Sequence, residues 1–289
     1  GRLALDTPLP RYLPRFTGDR KGEVTVRMLL DHTSGLPAYR EYFRLATTRE
    51  QAESLLYAEP LTRAPGISAV YSDLNAMLLG LVVEKVSGES LNVFLGREVF
   101  GPLGMTQTRY NPPASLWYRV APTGMWHGRP SAGEVFDQNA VVMGGVSGHA
   151  GLFSTGMDLA RYARFWFSGG RLRSGGALVK SATMAAFLQP GARSGTRLLG
   201  WDTPDRKEEQ PTAYGTLLSG SAYGHTGWTG TELWLDPAND LFLIFLTNRS
   251  YAPRMGRSIR ELRAVRAQLA DAAIRAAGQP CLAQAATPC

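Results

Sequence analysis

Cysteine is almost missing from this 289-residue chain. Two occur, Cys281 and Cys289, both at the C-terminal end. Two thiols cannot build a disulfide scaffold, and neither has metal-site company. A small tail disulfide and two idle thiols on a frayed end are both open readings. Lysine is scarce too: Lys21, Lys85, Lys180 and Lys207. No apolar run reaches the roughly 18 residues of a membrane-spanning helix. No charged-then-apolar leader opens the chain either. No nucleic-acid motif appears, and no His/Asp/Glu grouping has metal-ligand spacing, so neither metal nor cofactor is expected.

What is present suits one globular unit of two lobes: 44% hydrophobic residues against 19% charged. The formal net charge is +7. Much of the excess falls on Arg254, Arg257, Arg260, Arg263 and Arg266 near the C-terminus. That spacing marks the solvated side of an amphipathic helix rather than a nucleic-acid surface. The opening "GRLALDTPLPRYLP" reads as a helix stop, with Gly1 as a C′ glycine ahead of a Pro-rich connection. A helix stop without a helix leads us to expect a further segment upstream.

Helices lead the chain. "VTVRMLLD" (24–31) predicts a short one, followed by the turn "HTSGLP". Thr47 or Thr48 caps the next, with Glu50 and Gln51 at capping-box distance. "LNAMLLGLVVEKVSG" is apolar almost all round, which predicts a buried helix ending at Gly88. Ser90 starts another, stopped by Gly101-Pro102. Residues 106–145, rich in Pro, Gly and Trp, read as long ordered loops. Thr155 and Asp158 start an amphipathic helix closed by Gly169. "TELWLDP" alternates and "LFLIFLTN" is continuously apolar, which predicts a hairpin across "ANDL". A final helix, about 255–277, carries Ile259, Leu262, Val265, Leu269 and Ala273 on one face. The order predicts an α+β fold in one domain: a helical lobe (about 20–185), a sheet lobe with a covering helix (about 186–278) and a tail (279–289).

Three short stretches carry chemistry. "YSDLN" (71–75) puts Tyr71 at a loop-to-helix boundary, two residues before Asp73. Alone, it reads as an N-cap aspartate. His225-Thr226-Gly227 stands ahead of the hairpin; alone, it reads as a turn with a solvent-facing histidine. "GGVSGHAGLFST" (144–155) holds Ser147 in Gly-Val-Ser-Gly-His, which fails the G-x-S-x-G elbow at its last position and has no strand before it. Ser147 is therefore set aside as a nucleophile, and with it an α/β-hydrolase reading.

Together and in this order the stretches resemble the serine β-lactamase and penicillin-binding-protein superfamily, in its class C-like branch. "YSDLN" takes the place of Tyr-x-Asn. "GHTGWTGTELWLDP…LFLIFLTNR" takes the place of the Lys-Thr-Gly strand and its partner. "TVRMLLDHTSGLP" looks like the branch's helix and turn, and "WHGRPSAGEVFDQNAVVMGGVSGHAGLFSTGMDLARYA" like the long connection of a penicillin-binding-protein-like esterase group. The family's nucleophile lies in Ser-x-x-Lys. Three positions before the four lysines stand Gly18, Val82, Ala177 and Pro204, so the pattern does not occur here. The resemblance implies that an N-terminal truncation removed it, together with part of the sheet lobe.

The resemblance implies acyl transfer through a serine ester, on an ester, a D-amino-acid peptide or a β-lactam. Its substrate is then a small molecule or a cell-wall peptide, and its location periplasmic or secreted. Tyr71, Asp73 and His225 become the catalytic candidates. Thr226, Gly227, Trp228, Asn75, His149 and Asp137 become the substrate-binding ones. Tyr71 would share the base role with the missing lysine. A free phenol ionises near pH 10, so a phenolate needs positive charge beside it. His225, with an ordinary pKa of about 6.5, could supply part. Asp73 in place of asparagine can only accept hydrogen bonds, which disfavours a substrate carboxylate. The N–H of Trp228 would be one oxyanion-hole donor, worth roughly 3–4 kcal/mol in the transition state. His149 braces the site from behind, Asp137 is a candidate to reach the cleft, His32 is a turn residue and His127 is exposed. The phenol of Tyr71 and the imidazole of His225 are expected to converge on one pocket. A non-catalytic ligand- or peptidoglycan-binding module that kept the cleft is the rival reading.

Overall fold

Two units, residues 1–201 and 202–289, make up the chain in a computed structural model. It describes residues 1–126, 129–205, 212–251 and 258–277. His127, Lys207, Arg254, Arg257, Cys281 and Cys289 lie outside the described residues.

The first unit is mainly helical. Thr25 caps α1 (Val26–Leu30) by accepting from the Met28 N–H. Thr48 caps α2 (Arg49–Ala58), and Gln51 closes a full capping box. Helix α3 (Asp73–Ser87) is buried along Leu74, Met77, Leu78, Leu81 and Val82 and ends on the left-handed Gly88. Its N-cap is Ser72, not Asp73, which occupies the first helical turn. Helix α4 (Leu91–Leu95) continues into a π-turn at Gly96–Phe100 before Gly101. Leu9, Phe16, Leu29, Leu36, Leu56 and the α3 side chains form the core.

The stretch read as loops contains short elements. These are β1 (Arg109–Tyr110), β2 (Met125–Trp126), β3 (Arg129–Pro130) and α5 (Gln138–Val142). Strand β4 (Leu152–Phe153) pairs antiparallel with β1, and β2 pairs with β3. Helix α6 (Gly156–Phe167) follows its Thr155 cap, and α7 (Ser181–Phe187) is a helix the sequence did not announce.

The second unit holds β5 (Tyr223–Thr226), β6 (Glu232–Asp236) and β7 (Leu241–Phe245), an antiparallel sheet in that order. Trp234 pairs with Leu243 across the expected hairpin. His225 and Thr226 belong to a strand of their own, facing Leu233 and Glu232, rather than to a turn ahead of one. Helix α8 (Ile259–Ala277) packs on β7. Its buried line is Leu262, Arg266 and Ala270. The expected face was wrong in two places: Ile259 and Val265 are exposed, while Arg266, assigned to the solvated side, is 2% exposed. Leu218, Ala222, Trp234 and Ala270 fill this unit's core.

Candidate active site

The turn "HTSGLP" builds the floor under Tyr71. His32 adopts the left-handed backbone at φ 61°, and its ring is nearly buried. The Ser72 N–H donates to His32 Nδ1 at 3.2 Å, and Asn75 Nδ2 lies 3.0 Å from the same atom. An amide N–H can only donate, so Nδ1 carries the lone pair and the ring proton of the neutral imidazole sits on Nε2. Ser34 Oγ donates to Asn75 Oδ1 at 2.6 Å, and Ser72 Oγ donates to the Pro37 carbonyl at 2.6 Å. Every one of these groups is neutral and buried. The Tyr71 ring rests on this lattice, 4.8 Å from the His32 ring.

Asn75 is thereby corrected. It is fully buried, and both ends of its amide serve the turn, so it cannot meet a substrate here. His32 is the residue that orients the Tyr71 segment, and "DHTSGLP" was its signal.

Tyr71 remains 39% exposed. Its phenol is held above the ordinary value by burial first, then by the charge of Asp73 and a hydrogen bond to it. Arg197 opposes this, with its guanidinium 5.2 Å from the ring centre. Within this unit the balance favours the O–H form. A phenolate base would need a cation beyond Arg197. No periodicity or motif in "RSGTRLLG" marks Arg197 as a neighbour of Tyr71.

Asp137, His149 and Ser147 form a chain of hydrogen bonds. Asp137 caps α5, accepting from the Ala140 N–H at 2.8 Å. His149 Nε2 lies 2.9 Å from Asp137 Oδ1, and His149 Nδ1 lies 2.8 Å from Ser147 Oγ. Burial pushes the Asp137 carboxyl up, but His149 and the α5 amides outweigh it and leave it low. Asp137 accepts a hydrogen bond from the Nε2–H of His149, which leaves Nδ1 to accept one from the Ser147 hydroxyl. The order is that of a serine–histidine–aspartate triad. Ser147 is 4% exposed, which closes it to a substrate carbonyl and leaves the chain a brace. The glycines explain the location. A Cβ on Gly148 would lie 1.9 Å from the Ala76 carbonyl and 3.0 Å from Gly80 N, so the loop touches α3 backbone to backbone.

The second unit carries the other candidates in one run. His225 Nδ1 lies 2.9 Å from the Thr226 carbonyl. A carbonyl only accepts, so Nδ1 bears the proton and Nε2 is the acceptor in the neutral ring. Gly224 is required where it is: a Cβ there would lie 2.5 Å from the Trp234 ring. The turn after β5 is closed by Gly227 N–H donating to the Thr231 carbonyl at 2.6 Å. Trp228 is 69% exposed, and its N–H makes no hydrogen bond among the described residues.

Among the described residues no group of three or more His, Cys, Asp or Glu is placed to hold a metal, and no helix is long and apolar enough to cross a membrane.

The chain is similar to known proteins in sequence and in fold. A relative from Escherichia coli (strain K12) named "Putative D-alanyl-D-alanine carboxypeptidase" is 34% identical over 282 residues, covering 88% of this chain. The chain spans 64% of that relative's length. A solved structure described as a class C beta-lactamase superposes with a TM-score of 0.72 at 21% identity, covering 97% of this chain and 76% of that one. A penicillin-binding protein homologue from Caulobacter crescentus gives a TM-score of 0.68 at 22% identity, over 93% of this chain and 77% of that one. These likenesses establish the β-lactamase/transpeptidase fold. The Beta-lactamase family model matches residues 1–268, and so the chain belongs to the beta-lactamase family of serine hydrolases.

Proposed function

We propose that this chain is the greater part of a serine hydrolase that transfers an acyl group through a serine ester, on a cell-wall peptide ending in a D-amino acid or on a related ester or β-lactam. The observation that carries the reading is Tyr71, partly exposed at the entrance of α3, in tilted ring contact with His32, beside Asp73. The name of the Escherichia coli relative supports the peptide class. The Ser-x-x-Lys that supplies the nucleophile is not among the 289 residues, and we place it in sequence outside them. Its lysine would add the cation that the Tyr71 phenol needs to act as a base. Thr226 and the Trp228 N–H would bind the substrate carbonyl. Export to the periplasm or beyond is part of the same proposal, because cell-wall peptides lie there.

The rival, a binding module without chemistry, is decided by the upstream coding sequence and by acylation. The full-length protein should label with fluorescent penicillin or a fluorophosphonate on the serine of Ser-x-x-Lys, and Tyr71→Phe should slow labelling at least tenfold. Labelling on Ser147, or rates unmoved by Tyr71→Phe, would overturn the assignment.

A further inference from the structure

Arg266 is the feature the family reading does not use. It lies in an arginine series spaced three apart on α8, yet it alone of the described members, Arg260, Arg263 and Arg266, is buried, at 2% exposure. Buried arginines occur with partners, because an uncompensated charge in the interior is costly. Here the partners are backbone. Arg266 Nη2 donates to the Thr231 carbonyl at 2.8 Å and to the Gly227 carbonyl at 3.2 Å. Glu232, 3% exposed on β6, stands 3.2 Å from Arg266 Nε; the pair is close enough to share charge but not aligned as a hydrogen bond. The aligned hydrogen bonds of the guanidinium thus go to the two ends of the 227–231 turn.

That placement has a geometric consequence. The Gly227 carbonyl and the Trp228 N–H belong to one planar trans peptide, so they point in opposite directions. Fixing the carbonyl on buried Arg266 aims the N–H away from the interior, on the side where Trp228 is exposed. The cation also polarises the peptide it holds, which strengthens the N–H as a donor. The turn is secured from its other side by Arg249. Its N–H donates to the Thr229 carbonyl at 2.8 Å, and its guanidinium lies 4.6 Å from the Trp228 ring centre. A side chain at Gly227 is barred, since its Cβ would lie 2.3 Å from Thr231 Oγ1.

We propose that Arg266, held by Glu232, is a positioning residue that fixes and polarises the Gly227–Trp228 peptide as an anion-binding donor for the oxyanion formed during acyl transfer. This rests on the function proposed above. Glu232 adds a pH response. Burial pushes its carboxyl up to about 7, against the pull of Arg266 and the Trp234 indole. Arg249 and Arg263 are the other charges acting on Arg266. Below that value protonated Glu232 leaves the Arg266 charge uncompensated on the peptide; above it the carboxylate offsets that charge.

Removing Arg266 alone would leave Glu232 buried without its cation, so the test uses the neutral pair Glu232→Gln/Arg266→Met, which keeps the volume and strands no charge. In the full-length protein, p-nitrophenyl acetate turnover should lose about 10- to 100-fold in kcat with KM within twofold, because the interaction grows only in the transition state. Phenylboronic acid, a tetrahedral anion mimic, should bind more weakly by a similar factor. Arg266→Lys should recover part of the loss, since a point charge can still hold one carbonyl. Glu232→Gln alone should remove an inflection near pH 7 from the kcat profile. A folded double variant with unchanged kcat and unchanged boronate affinity sinks the proposal. Tyr71→Phe in the same assay separates the two claims: if it has no effect, the enzymatic reading has failed instead. For that case the 1H–15N spectrum decides. The double variant must shift the Gly227 and Trp228 amide signals while those of α2 stay in place; unmoved Trp228 and Gly227 signals overturn the anchoring whether or not the protein is a catalyst.

Discussion

The two units secure their candidate residues by opposite means. Tyr71 stands on uncharged groups: the His32 ring, the Asn75 amide and the Ser34 and Ser72 hydroxyls. The Gly227–Trp228 peptide stands on a buried charge pair, Arg266 and Glu232. A hydrogen-bonded network of uncharged groups fixes geometry, whereas a buried charge pair also supplies a field. The difference fits the jobs proposed for them. A phenol must be placed and later ionised by a neighbour; an oxyanion donor gains from a permanent cation behind it.

The sharpest way to break this contrast is to open the neutral lattice. Asn75→Ala should cost about 3 kcal/mol, since it strands the buried Ser34 hydroxyl and leaves a small void. Urea unfolding should give a similar loss at pH 5 and pH 8; a loss confined to one pH would mean that the lattice is charged after all. A second test addresses the ionic side. Glu232 binds its proton more tightly folded than unfolded, so the folded state holds the extra proton between about pH 4.5 and 7. Stability should therefore fall as pH rises through that window, by at most about 1.4 kcal/mol per pH unit. Glu232→Gln should flatten the slope, and an unchanged slope would remove Glu232 from the account. Smallest is a control remote from either brace. Thr48→Ala removes a capping box and should cost about 1 kcal/mol, equally at both pH values.

Local chemistry explains what could be read in advance. The Thr48/Gln51 box, the Thr155 cap and the Gly88 stop each involve neighbours within four residues, so composition at those positions determines the outcome. The hairpin from β6 to β7 was legible for the same reason. Helices α5 and α7 were not, because short segments set among Gly- and Pro-rich stretches show no helical period against their surroundings. Strand β5 was hidden as well: Tyr-Gly-His-Thr shows no alternation, and its strand character comes from pairing with β6. The α8 face was misread because an arginine every third residue looks solvated until something buried needs one. Arg266 faces inward since the carbonyls of Gly227 and Thr231 lie there without another donor for their second lone pairs.

The site divides along the same line. Tyr71, Asp73 and His225-Thr226-Gly227 stand out as short motifs, but the resemblance to the family came from several long stretches in the family's order, not from these motifs alone. The partners of those residues lie far away in sequence: His32 beneath Tyr71, Arg197 across its ring, Arg266 beneath Gly227. Sequence alone determined the longer helices, the Thr48 and Thr155 caps, the β6–β7 hairpin and the chemical vocabulary, all of which rest on contacts within a few residues. Tertiary structure decided which polar groups were buried, and burial is what turned Asn75 into a brace, Ser147 into a closed hydroxyl and Arg266 into an anchor. A buried polar group must find a partner wherever the chain places one, and that choice is written in no local pattern.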